Sequence, residues 1–580
     1  MDIDASGRFN RRWLAAAWVF AAIILCFNLG SDGMYAPQEG RTAIIVKNML
    51  RSGNYMDMQV DGAVPYEKPV GHYWLCLPTA KLFGLDADPM CVSPEWALRL
   101  PSFLSAIVAL LAASLLAGRL YGAKTAAITV VMLASMTKFI HLARVAHIDM
   151  PLAAAFAAAM LFLYLGYFEK WRSNRLIYGF YALLGWGMVL KGPLVLILAG
   201  LTVLGMMIKY RRWKAPLEMR PLTGILLLLL LALPWYAAET VRTGGAFFDE
   251  FIVNQNFRRF TGAGSVYSDG EFMPLYYYIP KMFAGALPWA PISIAALIVC
   301  FRRLLRLRFS TGTVFLLMWL GTGFVFFSLS ALKRGDYLLP LYPPLAILTA
   351  RAFELGAEKV PKLWKRWRIV LWTLGGLLAA LYALSVSGVL IRIGNYCIDH
   401  EIEHIATRDA KSLIMFSSFA NDLWLWTALG AAAAIFALWW LGRYLEQGRV
   451  MAAFVLFSAL LLTAYTAFYG WIEPATDVQK TVKPFIREAR AFWPADKPVV
   501  YYSEFNTELV YFMDRPYVYT KTLTPDIELM MTDDRGERRL MRDCPGVWQT
   551  VLSTRPDHQY PVIVMAGTAA AQPAAAASER

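Results

Sequence analysis

Charged side chains are scarce in this 580-residue chain, 17% of the whole, where a soluble domain carries about a quarter. With a mean hydropathy of +0.45, that scarcity excludes an ordinary soluble protein of this length. Histidine and cysteine are rarer still, six of each, and no two cysteines stand at CxxC spacing, so thiolate metal sites gain no support. There is no glycine-rich phosphate loop and no GxGxxG fingerprint between a strand and a helix, which removes the usual nucleotide-binding signatures. No convincing small-residue cleavage site follows the first apolar segment, Trp13 to Leu29, which therefore reads as a retained helix rather than a signal peptide.

What the chain has in abundance is apolar sequence. From Trp13 to about Gly470 apolar segments recur, each long enough or nearly so to cross roughly 30 Å of hydrocarbon as a helix, and about thirteen can be counted. The formal charge of +14 is not gathered into a nucleic-acid-binding face. Its basic clusters, among them Arg8/Arg11/Arg12, Lys209/Arg211/Arg212/Lys214 and Lys359/Lys362/Lys365/Arg366/Arg368, occupy alternate short loops, the positive-inside distribution of a membrane protein. Those loops and the N-terminus are expected in the cytoplasm, and nucleic acid is not an expected partner. The loops at 31–97, 138–148, around 191, 238–280, 332–337 and 393–421 then face the other side, and an odd number of crossings puts the C-terminus there as well.

The expected architecture is an all-α polytopic membrane protein with helices in its outer loops and a small C-terminal α/β domain. Residues 1–471 are read as the transmembrane domain, 472–567 as the α/β domain, and the Ala-rich tail 568–580 as disordered. Within the α/β domain the pattern predicts helices over 478–491 and 507–513 and strands over 498–502 and 517–519.

Against this background the polar residues of the outer loops stand out. The first loop holds Gln38-Glu39-Gly40-Arg41 and Tyr66-Glu67-Lys68-Pro69; carboxylates there can act as bases or metal ligands and cations can hold a phosphate. The blander account is a solvated loop with salt bridges of little value, though Pro65 and Pro69 stiffen the second motif. Arg144, His147 and Asp149-Met150-Pro151 follow at the outer end of another segment, then Lys191-Gly192-Pro193 in a turn too brief to need charge for solubility. A cation at that depth can meet a lipid-linked phosphate or merely snorkel to headgroups. Arg258 and Arg259 break the positive-inside pattern, which suggests an anionic ligand.

These pieces, with Leu233-Pro234-Trp235, Arg259-Phe260, Tyr276 to Pro280, Pro288-Trp289 and Phe327-Ser328 through Lys333, Tyr337 and Pro340, occur in one order across residues 13–350. In that order the chain resembles the GT-C-type lipid-phosphate-dependent glycosyltransferases, specifically the bacterial lipid A aminoarabinose transferases and the related protein O-mannosyltransferases. The resemblance implies a GT-C-like fold of about thirteen helices in the bacterial inner membrane, with a periplasmic C-terminal domain. It implies a sugar donor on undecaprenyl phosphate, a lipid A-type, glycan or protein acceptor, and direct displacement with inversion. By the same resemblance Glu39, Glu67 and Lys68 are the catalytic residues, with Glu67 also a metal ligand for a divalent ion, while Arg41, Lys191, Arg259 and Tyr337 surround the donor phosphate. Gln38, Asp149, Asn256 and Lys333 are further site candidates.

Two departures from that family matter. Gln38-Glu39 stands where many relatives have Asp-Glu, and a Gln cannot serve as a base, so either Glu39 takes that role or the acceptor needs no strong base. Asn256 stands where aminoarabinose transferases have a His implicated in metal binding, which puts an identical zinc site in doubt. Two other functions have some support in the sequence. His400-Glu401-Ile402-Glu403-His404 matches HExxH, the zinc motif of membrane proteases, but lies in an outer loop with no evident enclosed cleft, where an interfacial helix or an adventitious metal site is the simpler account. A transporter fits the helix count, yet paired interrupted helices and acids within the spans are lacking.

Overall fold

The computed structural model describes residues 11–31, 33–34, 37–56, 58, 60, 68–90, 94–169, 173–261, 273–304, 309–359, 361–399, 414, 417–418, 421–422, 424–474, 481–494, 496–502, 507–520, 522, 527–554 and 562–567. Helices dominate, as they must where backbone polar groups have only one another for partners. Among the described residues, seven helices are long and apolar enough to cross a membrane: Pro94–Tyr121, Asp149–Phe168, Pro221–Arg242, Thr311–Leu329, Arg368–Val386, Thr427–Glu446 and Val450–Ile472. The pair Ala123–Ala134 and Thr137–Ala143, bent by 69°, makes an eighth if it is one broken span, and three shorter apolar helices accompany them.

Length and composition thus single out fewer spans than the apolar segments counted in the sequence. The difference has a physical source, since several segments carry charge. Asn174–Lys191 opens with Arg175 and ends on its lysine; Tyr342–Lys359 contains Arg351, Glu354 and Glu358; and Ala290–Leu304 ends in Arg302 and Arg303. The chain is a multi-pass membrane protein whose spans differ in apolarity.

The chain divides into two compact units, one of Asp2–Gly30 and Arg41–Leu355, the other of Met1, Ser31–Gly40 and Gly356–Arg580. In the first unit the central strut is Asp149–Leu163. Its sequence, rich in Ala on every side, is buried around almost its whole circumference, the signature of a helix surrounded by others. Small side chains let it approach Pro94–Tyr121 and Asn174–Lys191 closely. Some buried polar groups there find partners within the bundle: Trp289 donates to Ser135 Oγ at 2.9 Å and Trp319 to the Pro340 carbonyl at 3.1 Å. Arg144 donates to the carbonyls of Phe27 and Asn28 at 2.8 and 3.2 Å. It thereby serves the exposed end of helix Arg11–Cys26.

In the second unit, helices Pro361–Val386 and Trp424–Glu446 pack along each other. The C-terminal domain is a mixed five-stranded sheet. Its strands are β1 Val499–Tyr502, β2 Tyr517–Thr520, β3 Leu529–Thr532, β4 Trp548–Ser553 and β5 Ile563–Gly567, in the order β2-β1-β3-β5-β4. β1 pairs parallel with β2 and β3, while β5 pairs antiparallel with β3 and β4. Tyr502, Met530, Leu540, Trp548, Ile563 and Met565 form its apolar core. The expected strands and the helix Thr507–Met513 are present, and of the helix expected over 478–491 the described part is Lys483–Phe492, residues 481–482 not being helical.

The glycine of the first-loop motif has a structural reason in this unit. A Cβ at Gly40 would lie 2.4 Å from Thr507 Oγ1 and 2.9 Å from the Thr507 carbonyl carbon, a clash that includes backbone. Gly40→Ala is therefore expected to cost about 1–3 kcal/mol through overpacking, read as a lower thermal midpoint of the full-length protein in detergent. An unchanged midpoint would show that Thr507 yields freely.

Candidate active site

The site is built where helix ends of the first unit meet. Asn174–Lys191 terminates at its lysine because Gly192, at φ +99°, turns the chain into the left-handed region, and Pro193 then leads into Leu194–Tyr210. Lys191 thus sits at a helix C-terminus, which favours a cation. Asp149 opens the next helix it touches and sits at an N-terminus, which favours an anion. The two form an ion pair, Lys191 Nζ to Asp149 Oδ1, with side chains only 9% and 3% exposed. Lys191 Nζ also lies 4.4 Å from the centroid of the Tyr337 ring, within cation–π range. Tyr337 is held on the 3₁₀ turn Gly335–Leu341, whose approach is fixed by the Arg334 N–H donating to Tyr278 Oη at 3.1 Å.

Around this pair runs a cavity of about 410 Å³. Lys68, Lys191, Asn256 and Tyr337 supply its polar wall, and Leu194, Ile197, Phe251, Phe260, Phe326 and Phe327 much of its apolar wall. Two ammonium groups beside a continuous apolar surface suit an amphiphile with an anionic head. Asn256 and Gln255 come from Phe248–Arg258, a π-helical stretch of the kind that often marks functional sites. Phe247 and Phe251 of this region stack at 5.4 Å, and Phe247 packs edge-on against Trp235 at 5.1 Å, which anchors it to Pro221–Arg242.

Behind the ion pair lies a second cluster. His147 Nδ1 stands 3.3 Å from Asp149 Oδ2 and accepts from the Asp149 N–H at 3.2 Å. Burial outweighs the field of Asp149 and lowers the titration of His147. Lys138 donates to Asp336 Oδ1 at 2.9 Å. Burial opposes that carboxylate's charge, but the bond and field of Lys138 prevail and hold it below the usual carboxyl range. His72 is 3% exposed and neither ring nitrogen has a hydrogen-bond partner. Burial, then the field of His147, push its imidazole down to about 3 against the opposing pull of Asp149.

Of the residues expected from sequence, the structure brings together Lys68, Asp149, Lys191, Asn256 and Tyr337. Lys333 instead donates to the carbonyls of Ser330 and Met273, at 2.6 and 3.0 Å. Glu39 is 2% exposed in the first turn of helix Pro37–Ser52, with Gln38 before it and Arg41 after it. Glu67, the HExxH motif and the side chain of Arg259 lie outside the described residues. Sequence reasoning missed Lys138 and Asp336 as neighbours of the ion pair. Asp336 directly precedes Tyr337, and the adjacency was the available signal.

The fold is GT-C-like, and the chain is similar to aminoarabinose transferases and protein mannosyltransferases. Residues 67–237 match the family described as dolichyl-phosphate-mannose-protein mannosyltransferase. The undecaprenyl phosphate-alpha-4-amino-4-deoxy-L-arabinose arabinosyl transferase of Enterobacter sp. (strain 638) is 31% identical over 324 residues, 55% of either chain. The chain therefore matches a little over half the length of that relative. ArnT from Cupriavidus metallidurans, solved bound to undecaprenyl phosphate, superposes with a TM-score of 0.75 over 96% of this chain and 98% of that one, at 18% identity. The oligosaccharyltransferase of Archaeoglobus fulgidus shares the fold more distantly, with a TM-score of 0.51 over 92% and 70%, at 12% identity.

Proposed function

We propose that this protein is a bacterial inner-membrane glycosyltransferase that moves a sugar from undecaprenyl phosphate to a lipid A-type, glycan or protein acceptor on the periplasmic face. The observation that carries the reading is the pairing of Lys68 and Lys191 on one cavity with an apolar wall. When the glycosidic bond breaks, the lipid phosphate gains negative charge, and ammonium groups fixed beside it stabilise the leaving group without reorganisation. The ring of Tyr337 and the carboxylate of Asp149 hold Lys191 in place for this. Arg41 and Arg259 would complete the phosphate shell, and Glu39 would serve as base unless the acceptor arrives ionised.

The same proposal orders the membrane topology. Thirteen crossings result if helices Arg11–Cys26, Asn174–Lys191, Leu194–Tyr210, Ala290–Leu304 and Tyr342–Lys359 cross with the seven long spans and the bent pair. The basic loops then fall in the cytoplasm with the N-terminus, and Lys68, Asp149, Lys191 and Tyr337 on the periplasmic side with residues 472–567.

The resemblance also implies a divalent metal at Glu67 and the position of Asn256. Asn256 does not fit a zinc ligand: its Nδ2 donates to the Phe251 carbonyl at 2.7 Å, and a neutral amide oxygen is a poor ligand for zinc. No step is routed through a metal there. The test is the glycolipid profile, by mass spectrometry, of membranes with and without the protein. Loss of one sugar modification together with accumulation of its undecaprenyl-phosphate donor is expected. Identical profiles, with substrate-dependent flux in reconstituted vesicles, would replace the transferase with a transporter.

A further inference from the structure

We infer that a second cavity, at the end of helix Leu194–Tyr210 remote from Lys191, is a binding site for an anionic glycerophospholipid, with its phosphate at Arg212 and its first chain carbons on an apolar wall. The 17 residues of that helix, at 1.5 Å each, carry the chain about 25 Å away from the Lys191 turn. The cavity measures about 490 Å³; Phe168, Val203, Met206 and Met207 supply its apolar wall, and Glu169 and Arg212 its charged groups. Arg212 is brought there by the turn that closes the helix. Arg211 takes the left-handed conformation, φ +51°, where glycine is usual, and the Arg212 N–H donates back to the Met207 carbonyl at 3.1 Å. Backbone of that kind persists only where its surroundings hold it.

The charge around the cavity calls for an anion. The carboxylates beside it already have partners: Glu169 pairs with Arg119 at 2.5 Å, and Glu218 accepts from Tyr167 Oη at 3.0 Å. Arg212, with Lys209, Arg211 and Lys214 around it, has no ion-pair partner among the described residues, nor do those three. The depth of the cavity identifies the anion as a lipid. The span Asp149–Phe168 ends at its wall and the span Thr311–Leu329 begins there, through Phe168 and Thr311. Tyr210, which lines it, and Trp213, next to Arg212, are both exposed, and aromatic rings at the ends of apolar helices mark the headgroup level of a bilayer. A soluble anion would meet the cations and leave the apolar wall uncovered. A phospholipid covers both, and basic pockets between membrane helices take anionic headgroups for this reason.

The site stands apart from the sugar-transfer reading, and its test reads lipid binding alone. Full-length protein in detergent is titrated with phosphatidylglycerol or with phosphatidylethanolamine of the same chains, and bound lipids are counted by native mass spectrometry. One phosphatidylglycerol is expected to be retained at least about tenfold more tightly than phosphatidylethanolamine. Excess undecaprenyl phosphate and inorganic phosphate should leave it in place. Arg212→Gln should weaken retention about fivefold, and Val203→Trp, which fills the apolar wall without changing charge, should weaken it too. Arg443→Gln, in the last turn of the separate helix Trp424–Glu446, should bind as wild type does. Equal retention of the two lipids by the unaltered protein overturns the inference, whether or not the variants fold. Displacement by undecaprenyl phosphate overturns it by placing the lipid in the Lys191 cavity, and displacement by inorganic phosphate by making the ligand a free anion. Equal losses in Arg212→Gln and Arg443→Gln overturn it in favour of general surface charge.

Discussion

Lys191→Met is expected to lower sugar transfer by about 10³-fold, the loss that follows removal of one fixed charge-stabilising group from a desolvated site. The substitution has a second effect that must be separated from the first. Asp149 is buried with Lys191 as its ion-pair partner, and stripping one partner from a buried pair costs about 3–5 kcal/mol because the other charge is left uncompensated. The single variant should therefore lose both activity and stability. Adding Asp149→Asn removes the orphaned charge, and the double variant should recover much of its thermal midpoint. Transfer should stay low, since the ammonium facing the phosphate is still missing. The measurement is appearance of the modified glycolipid in a deletion strain carrying each variant, beside thermal melts of the purified proteins. If the double variant recovers transfer together with stability, Lys191 is a structural residue. If Lys191→Met alone transfers within tenfold of wild type, it is not at the phosphate.

Lys68, Asp149 and Lys191 could be read from the sequence because each is a charge in a loop or at a segment end beside apolar sequence, and Tyr337 through the family resemblance. A chain that recrosses the membrane returns such ends to one face. Their convergence on one cavity follows from the packing of Asp149–Leu163 against its neighbours, which the Ala-rich sequence allowed but did not specify. His72 and Lys138 were not legible, for a physical reason. His72 is buried at a helix start and Lys138 pairs with Asp336 from beside a bend, positions that leave no periodic trace. Arg144 was legible as a charge at the outer end of an apolar segment, and its guanidinium serves backbone carbonyls. In the C-terminal domain, β1 and β2 announce themselves through Val and Tyr. β3 is Leu-Met-Met-Thr, without the valines and tyrosines that mark a strand, and Asp534–Asp543 is almost wholly polar, so neither announces itself.

Gly71 shows how closely the site depends on backbone packing. It is the first residue of helix Gly71–Leu82, which carries His72 and follows Lys68. A Cβ there would lie 2.7 Å from the carbonyl oxygen of Val189, 2.9 Å from its carbon and 3.1 Å from the Leu190 nitrogen. All three are main-chain atoms of the turn that ends in Lys191, so no side-chain rotation relieves the contact. Gly71→Ala must push the two helices apart and carry Lys191 with it. Displacement of about 1 Å in a positioned group can cost about 10²-fold in rate, while the overpacking itself costs about 1–3 kcal/mol. The expected result is a protein that still folds, with a modestly lower thermal midpoint, and transfers about a hundredfold more slowly. Gly200, in the neighbouring helix Leu194–Tyr210, is the matched control, because nothing lies within 4 Å of a Cβ built there. Gly200→Ala should transfer normally and melt slightly higher, since alanine is the better helix former. Equal transfer by the two variants would mean that the contact between Gly71 and Val189 does not set the position of Lys191.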